Sequence, residues 1–506
     1  MKGVCSGGHP LTAEAGLRAF EAGGNAIDAA VAAQLYACVT EPLLTGLGGG
    51  GIALVRHKRK TKVLDFFSDM PGLARPKVVA PLEILDVDFG PTTQRFSIGV
   101  SSVATPSMIF GLWELHKVGG VLPLPTLARW AADLAEKGLE VSEGLAKSID
   151  ALGEIIAKDE YLAPKLMMED GTPAPAGHRY ALPELSETLM RWAEGGPQAL
   201  LSGAPLDALI QTLTPYAPLS RADLAQYKAQ WRDPLHYRTP QGANIYTPSL
   251  PSQGGVQLIT LLHKLIQKAE HLSTLDPLSA QAVLILGKVM EAVEQEKGPL
   301  WPAPLLESSG RWRSRLGFTT HISVSDEEGT NIGITSSLGE TAGTSVASLG
   351  LILNNFLGEE DVAPPHCTPK PGERLFTMCT PTMLDYHDQR WMLGSGGSSR
   401  IRSVLMHGIS YLLPELLGTR LNGDSPECLA KLVCAPRSHF EMDSLRVETL
   451  GRLPNEIEKL QELWHKELVT FEGRNLYFGG LHISSEGRHG VFGAGDPRRS
   501  GHARGH

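Results

Sequence analysis

Hydrophobic and polar positions near the start of the chain predict two helices that meet at a glycine turn. From Leu11 to Val39 the sequence is dense in Ala, Leu and Glu and is broken at Gly23 and Gly24. The second helix, Ala26 to Val39, is apolar on nearly every side. Ala29, Ala30, Ala32, Ala33 and Ala37 spread around it, and only Asp28 and Gln34 are strongly polar. A helix with no polar face must be buried, and a sheet is the expected partner. Short strands follow at Ile52 to Arg56 and Lys62 to Phe67. Helical patterns run from Pro106 to Ala157 and resume after Leu185, while the Pro- and Gly-rich stretch Ala163 to Pro183 reads as a surface connection. A break at Thr247 to Gly255 precedes a helix from Val256 to about Glu270, and more helix surrounds Val283 to Val293.

The pattern then changes. Lys297 to Gly317 holds three prolines, three arginines and little periodicity, which predicts an exposed linker. It ends at Phe318, and strands begin at once: Thr319 to Val324, a turn at Asp326 to Gly329, then Asn331 to Thr335. A strand at Arg390 to Leu393 leads through a glycine turn into an apolar-periodic helix from about Ser399 to Leu413. Gly487 to His506 reads as a basic, glycine-rich tail.

Composition removes several function classes. With 506 residues, 42% of them hydrophobic, the chain can bury one large core or several ordinary ones. A formal net charge of -9 argues against nucleic acid or an anionic membrane as the main partner and leaves a small molecule or peptide. The six cysteines form no CxxC pair and read as reduced thiols. Met1 to Pro10 has no apolar signal core and no apolar run approaches about 18 residues, so the expected location is cytoplasmic.

Gly46 to Gly51 (GLGGGG) has GxGxxG spacing, but a helix precedes it and a strand follows, the reverse of a dinucleotide-binding turn. A close helix-to-sheet turn is the better reading. No HExxH or paired ligand spacing supports zinc, His366 beside Cys367 carries no such pattern, and the strict GxSxG elbow is absent.

Thr319 to Thr335 (TTHISVSDEEGTNIGIT) is by itself a hairpin with the look of a sheet edge. Its setting adds chemistry, because an unpatterned, exposed linker runs directly into a buried strand that opens with a hydroxyl. Cleavage after Phe318 makes Thr319 an N-terminus whose free α-amine can take the Oγ proton while Oγ attacks a carbonyl. An α-amine of pKa roughly 7.7 to 8.0 suits that task near neutral pH. The same Oγ can attack the Phe318 carbonyl beforehand, which accounts for the cut.

Ordered motifs extend along nearly the whole chain: His9 to Glu14 (HPLTAE), Gly23 to Ala30 (GGNAIDAA), Glu41 to Gly51 (EPLLTGLGGGG), Ser102 to Pro106 (SVATP) and Pro251 to Gly255 (PSQGG). Thr319 to Val324 (TTHISV), Leu353 to Asn355 (LNN), Gly394 to Ile401 (GSGGSSRI) and Gly493 to Arg499 (GAGDPRR) complete them. In these the sequence resembles the γ-glutamyltransferase, or glutathione hydrolase, family of N-terminal nucleophile hydrolases. The resemblance implies an α+β fold, a four-layer αββα sandwich in which residues 1–318 and 319–506 form one intertwined domain. It places the nucleophile on Thr319 and a second hydroxyl, which tunes the new amine, on Ser337. The oxyanion glycines fall on Gly396 and Gly397, where the helix start gives an independent reason for donors.

Substrate-holding positions depart from the family pattern. The arginine that clamps the substrate α-carboxylate falls on Phe67, within Asp65 to Asp69 (DFFSD), so that bidentate contact is gone. The family's asparagine falls on Gly339, and its paired serines fall on Thr377 and Met378. Glu359, Glu360 and Asp361 retain the acidic group that meets a substrate ammonium, and Arg374 and Arg400 are candidate replacements for the clamp. The resemblance implies acyl transfer through an ester on Thr319 to water or an amine, with no cofactor, on a γ-glutamyl or similar amide. The partners are that substrate and the two fragments of the chain, and a homodimer stands open. Two other readings also stand, an acylase for a non-glutamyl amide and an unprocessed, non-catalytic binder.

Overall fold

Two antiparallel sheets carry the fold, and strands from both ends of the chain build each of them. The computed structural model describes residues 2–74, 79–88, 93–295, 318–359, 361–363, 368–417, 423 and 425–505. The expected linker at 297–317, Glu360, His366 and Cys367 lie outside these residues. In chain order the sheet strands are β1 (Gly3–Gly7), β2 (Gly50–His57), β3 (Lys60–Phe66), β4 (Gln230–Arg232), β5 (Leu235–Arg238), β6 (Asn244–Thr247) and β7 (Thr319–Asp326). They continue with β8 (Asn331–Ser337), β9 (Thr382–Tyr386), β10 (Gln389–Gly396), β11 (Gly480–Gly487), β12 (Gly490–Ala494) and β13 (His502–Gly505). The first sheet has the order β13-β1-β7-β8-β2-β3-β4 and the second β12-β11-β10-β9-β6-β5.

Helices cover both outer faces. On the first sheet lie α1 (Pro10–Glu21) and α2 (Ala26–Thr40), with α3 (Leu124–Lys137) packed over α2. On the second lie α4 (Gln253–Ile266) and α6 (Arg400–Leu412), backed by α5 (Ala280–Gln295). The order helix, sheet, sheet, helix is the expected four-layer α+β sandwich. Among the described residues no helix is long and apolar enough to cross a membrane.

Every residue of α2 is buried, as its uniform apolarity predicts, and its two polar residues are satisfied. Asp28 closes a capping box with Asn25 and accepts from the Val121 and Leu122 N–H groups at 3.0 and 3.1 Å. Gln34 donates to Thr45 Oγ1 at 3.0 Å and accepts from Ser336 Oγ at 3.1 Å. The glycine run enters β2 under close backbone contact. A Cβ on Gly49 would lie 2.1 Å from the Ser337 carbonyl oxygen, which only glycine tolerates.

The strand at Thr319 is buried as expected: β7 lies between β1 and β8, and every residue of both hairpin strands is buried. Two expectations need correction. The supposed tail is structural, since β12 and β13 edge the two sheets and Asp496 and Arg498 between them are buried. Their charges are paired across long sequence distances, Arg437 with Asp496 and Arg498 with Glu448, so a segment that looks solvated by composition is covered. The surface connection ends in a buried contact, with Arg179–Tyr180 paired to Leu139–Glu140 and the Tyr180 hydroxyl donating to the Val39 carbonyl at 2.8 Å.

Candidate active site

Period-two alternation aims Thr319, His321, Ser323 and Ser325 of β7 at the second sheet, and Thr320, Ile322 and Val324 at the helices. His321 is held between the sheets by hydroxyls, with Nδ1 2.8 Å from Thr335 Oγ1 and Nε2 2.8 Å from Ser323 Oγ. Burial holds its pKa well below the usual imidazole value, so the ring is neutral. Of the TTH motif, the histidine packs the seam and the first threonine stands at the strand's open end.

There Thr319 pairs with Ser337 across the β7–β8 ladder. Thr319 Oγ1 donates to Ser337 Oγ at 3.3 Å, and Ser337 Oγ donates to the Phe318 carbonyl oxygen at 2.9 Å. The Gly339 N–H donates to Ser337 Oγ at 2.9 Å. Ser337 therefore spends its one proton on the carbonyl that precedes Thr319 and accepts from two donors. On the other side, Arg499 Nη1 donates to the Thr319 carbonyl oxygen at 3.1 Å. A Cβ on Gly396 would fall 1.8 Å from the same oxygen, so β10 closes on Thr319 only through glycine. Gly397, at φ +115°, turns the chain toward α6.

Thr320 points away and donates to Glu41 Oε2 at 2.5 Å, while Thr12 donates to Oε1 at 3.3 Å. Burial pushes the Glu41 carboxyl up to about 7, against the pull of those hydroxyls and Arg499. Burial, with Arg400 nearby, lowers Arg499 to about 10. The contacts of Glu41 and Arg499 with this site are not evident from single residues. Their signal was the motifs that contain them, EPLLTGLGGGG and GAGDPRR.

A small cavity, partly open to solvent, lies over Thr319 and Ser337. Of the residues expected to hold substrate, Phe67, Glu359, Asp361, Thr377 and Met378 line it. Phe356, Val362, Cys379, Ser398 and Ile401 complete the wall and were not anticipated. Phe67 packs on Phe356 with ring centroids 4.6 Å apart, and Ser398 Oγ donates to Asp361 Oδ2 at 2.6 Å. Glu360 lies outside the described residues. Among those residues no three His, Cys, Asp or Glu side chains gather as metal ligands.

The sequence profile of gamma-glutamyltranspeptidase matches residues 12–298 and 290–506. The chain belongs to the gamma-glutamyltranspeptidase family. Its curated relatives in the gamma-glutamyltranspeptidase group differ in name. The acylase ACY 1 proenzyme of Pseudomonas sp. (strain SE83) is 28% identical over 487 residues, spanning 88% of this chain and 84% of that protein. The glutathione hydrolase proenzyme of Pseudomonas aeruginosa is 25% identical over 531 residues, spanning 95% and 90%. The crystal structure of cephalosporin acylase from Bacillus halodurans shares the fold, with a TM-score of 0.78 and 20% identity over 99% of this chain and 95% of that one. The chain thus combines the gamma-glutamyltranspeptidase family with the N-terminal nucleophile hydrolase fold, and its relatives carry both acylase and glutathione hydrolase names.

Neither arginine expected as a candidate clamp, Arg374 or Arg400, lines this cavity. Arg374 lies behind Phe67, ion-paired with Asp65 at 3.3 Å and Asp69 at 2.9 Å, and donates to the carbonyls of Phe67 and Lys228. Arg400 is fully buried at the start of α6, over the Tyr477 ring and 4.0 Å from Glu441. Gly339 also stands off the cavity wall. Its missing side chain leaves room that Asn355 and Glu359 fill, with Glu359 Oε1 2.3 Å from where a Cβ would sit.

Proposed function

We propose that the chain is a proenzyme that cuts itself between Phe318 and Thr319 and then cleaves amides through an ester on the new N-terminal Thr319. The carrying observation is the hydroxyl pair at the junction, where Thr319 donates to Ser337 and Ser337 donates to the Phe318 oxygen. As Thr319 Oγ1 attacks the Phe318 carbonyl carbon, its proton passes to Ser337 Oγ and the Ser337 proton passes to the carbonyl oxygen. Collapse of the adduct breaks the C–N bond, returns that proton to the departing nitrogen and leaves an ester. Water hydrolyses the ester, giving a Phe318 carboxylate and a free Thr319 amine. Segments 1–318 and 319–506 stay together, because β1 to β4 and β7, β8 and β13 share one sheet.

In the cut enzyme the Thr319 amine serves as its own residue's base, with Ser337 beside it. The Gly396–Gly397 turn is the oxyanion site of this reading, and losing one such donor typically costs roughly 10²- to 10³-fold in rate. Water or an amine then takes the acyl group. A γ-glutamyl amide is supported by the family. A non-glutamyl acyl amide is supported by the acylase relative and by Phe67, with Arg374 held behind it.

The test is a denaturing gel with N-terminal sequencing. Wild type should give two pieces, the smaller one beginning at Thr319, and Thr319→Ala should stay whole and inactive. A single wild-type band identical to that of Thr319→Ala ends this reading and favours an unprocessed binder.

A further inference from the structure

We propose that the acyl group this site accepts carries an ammonium on an apolar stem and no carboxylate. The inference rests on the reading of Thr319 as nucleophile and concerns the cavity directly above it. Its wall divides by chemistry. Phe67, Phe356, Met378 and Ile401 present apolar surface, and Glu359 and Asp361 supply two carboxylates. No Lys, Arg or His lines the cavity among the described residues. Arg374 is tied to Asp65 and Asp69 behind Phe67, Arg499 donates to the Thr319 carbonyl oxygen, and Arg400 is buried over the Tyr477 ring.

Two features make the acids part of the wall's construction. Ser398 fixes the Asp361 carboxylate through a 2.6 Å bond. The side chain missing at Gly339 is what admits Glu359 Oε1, since any Cβ there would collide with it and the φ of +69° disfavours one. A substrate carboxylate brought against this wall meets like charge, with no donor fork among the described lining residues to offset it. An ammonium meets opposite charge, and its methylene stem lies along the aromatic pair.

Four 4-nitroanilides that share a leaving group separate the two charges: γ-glutamyl carries both, 4-aminobutyryl only the ammonium, glutaryl only the carboxylate, and butyryl neither. With the self-cut wild-type enzyme, and enzyme-free rates subtracted, the order of kcat/KM should be led by 4-aminobutyryl. It should exceed glutaryl by roughly 100-fold and γ-glutamyl by about tenfold. Asp361→Asn and Glu359→Gln, which keep shape and remove charge, should lower the ratio of 4-aminobutyryl to butyryl turnover toward one, mainly through KM. A cut enzyme that prefers γ-glutamyl or glutaryl, or that hydrolyses none of the four, overturns the inference and leaves the Thr319 reading standing. A chain that never cuts itself overturns both.

Discussion

The two faces of β7 meet opposite surroundings although their residues alternate along a single strand. Toward the helices, Ile322 and Val324 sink into a core shared with α1 and α2, where apolar area is removed from water and the shape is held by packing. Toward the second sheet, Thr319, His321, Ser323 and Ser325 form a seam of hydroxyls and imidazole joined by hydrogen bonds. A sandwich interior is ordinarily apolar. Here the polar seam fixes the positions of groups at the cost of desolvating them, and its open end is where the chemistry is proposed. Stability and reaction therefore draw on alternate residues of one strand, which substitutions can pull apart.

The largest effect is expected on the helix face. Ile322→Ala, made in the uncut Thr319→Ala chain, should lower stability by about 2–5 kcal/mol in a denaturant melt. In the wild-type background the folded fraction should still cut itself at an unchanged rate. Next comes Ser337→Ala on the seam face, which leaves the Phe318 oxygen without its donor and should slow self-cleavage roughly 10²- to 10³-fold in a gel time course. Ser337→Thr should restore it. If Ile322→Ala slows cleavage as much as Ser337→Ala does, the division between the faces fails.

Glu41 tests the comparison by pH, since it holds Thr320 from the helix side. An ordinary glutamate titrates near 4.5, and burial raises this one to about 7. Between those values the folded chain keeps a proton that the unfolded chain has released, so rising pH destabilises the fold through this group. Glu41→Gln should therefore gain on wild type as pH climbs from 4.5 to 7 and hold a constant advantage above it, on the order of 3 kcal/mol. Paired melts at pH 4.5, 6 and 8 measure it, and a difference that does not change with pH removes Glu41 as a buried titrating group.

What could be read from the chain alone follows the same division. The helix side was legible because apolar periodicity is local: α2 lacked a polar face and proved wholly buried. The seam was not, because Ser323, Ser325 and Thr335 alternate with apolar residues as a solvated strand face does, so the expected buried strand gave no sign of what its polar face meets. Its partners, Met392 and Ser484, lie far along the sequence. The GAGDPRR segment misled in the same way, its buried charges being matched by Arg437 and Glu448. At the site, Thr319, Ser337, Glu359 and Asp361 were found through motifs and the structure brings them to one cavity. The fate of Arg374 depended on Asp65 and Asp69 reaching it across the fold, which no spacing encodes.

The smallest effect belongs deepest in the seam. Ser323 Oγ donates to the Met392 carbonyl at 3.0 Å, so its 2.8 Å contact with His321 must be accepted from Nε2–H. That assigns the tautomer of the neutral ring and leaves Nδ1 to accept from Thr335. Ser323→Ala strips a partner from the ring and from a carbonyl, both fully buried. It should cost about 1–3 kcal/mol. Four residues from Thr319, and on the same face, it should leave the self-cleavage rate within a few-fold of wild type. A neutral result in the melt would show that the seam's hydrogen bonds merely replace those lost to water. A large loss of cleavage with little loss of stability would show instead that His321 positions the strand's open end, extending the reactive part of the seam inward from Ser337.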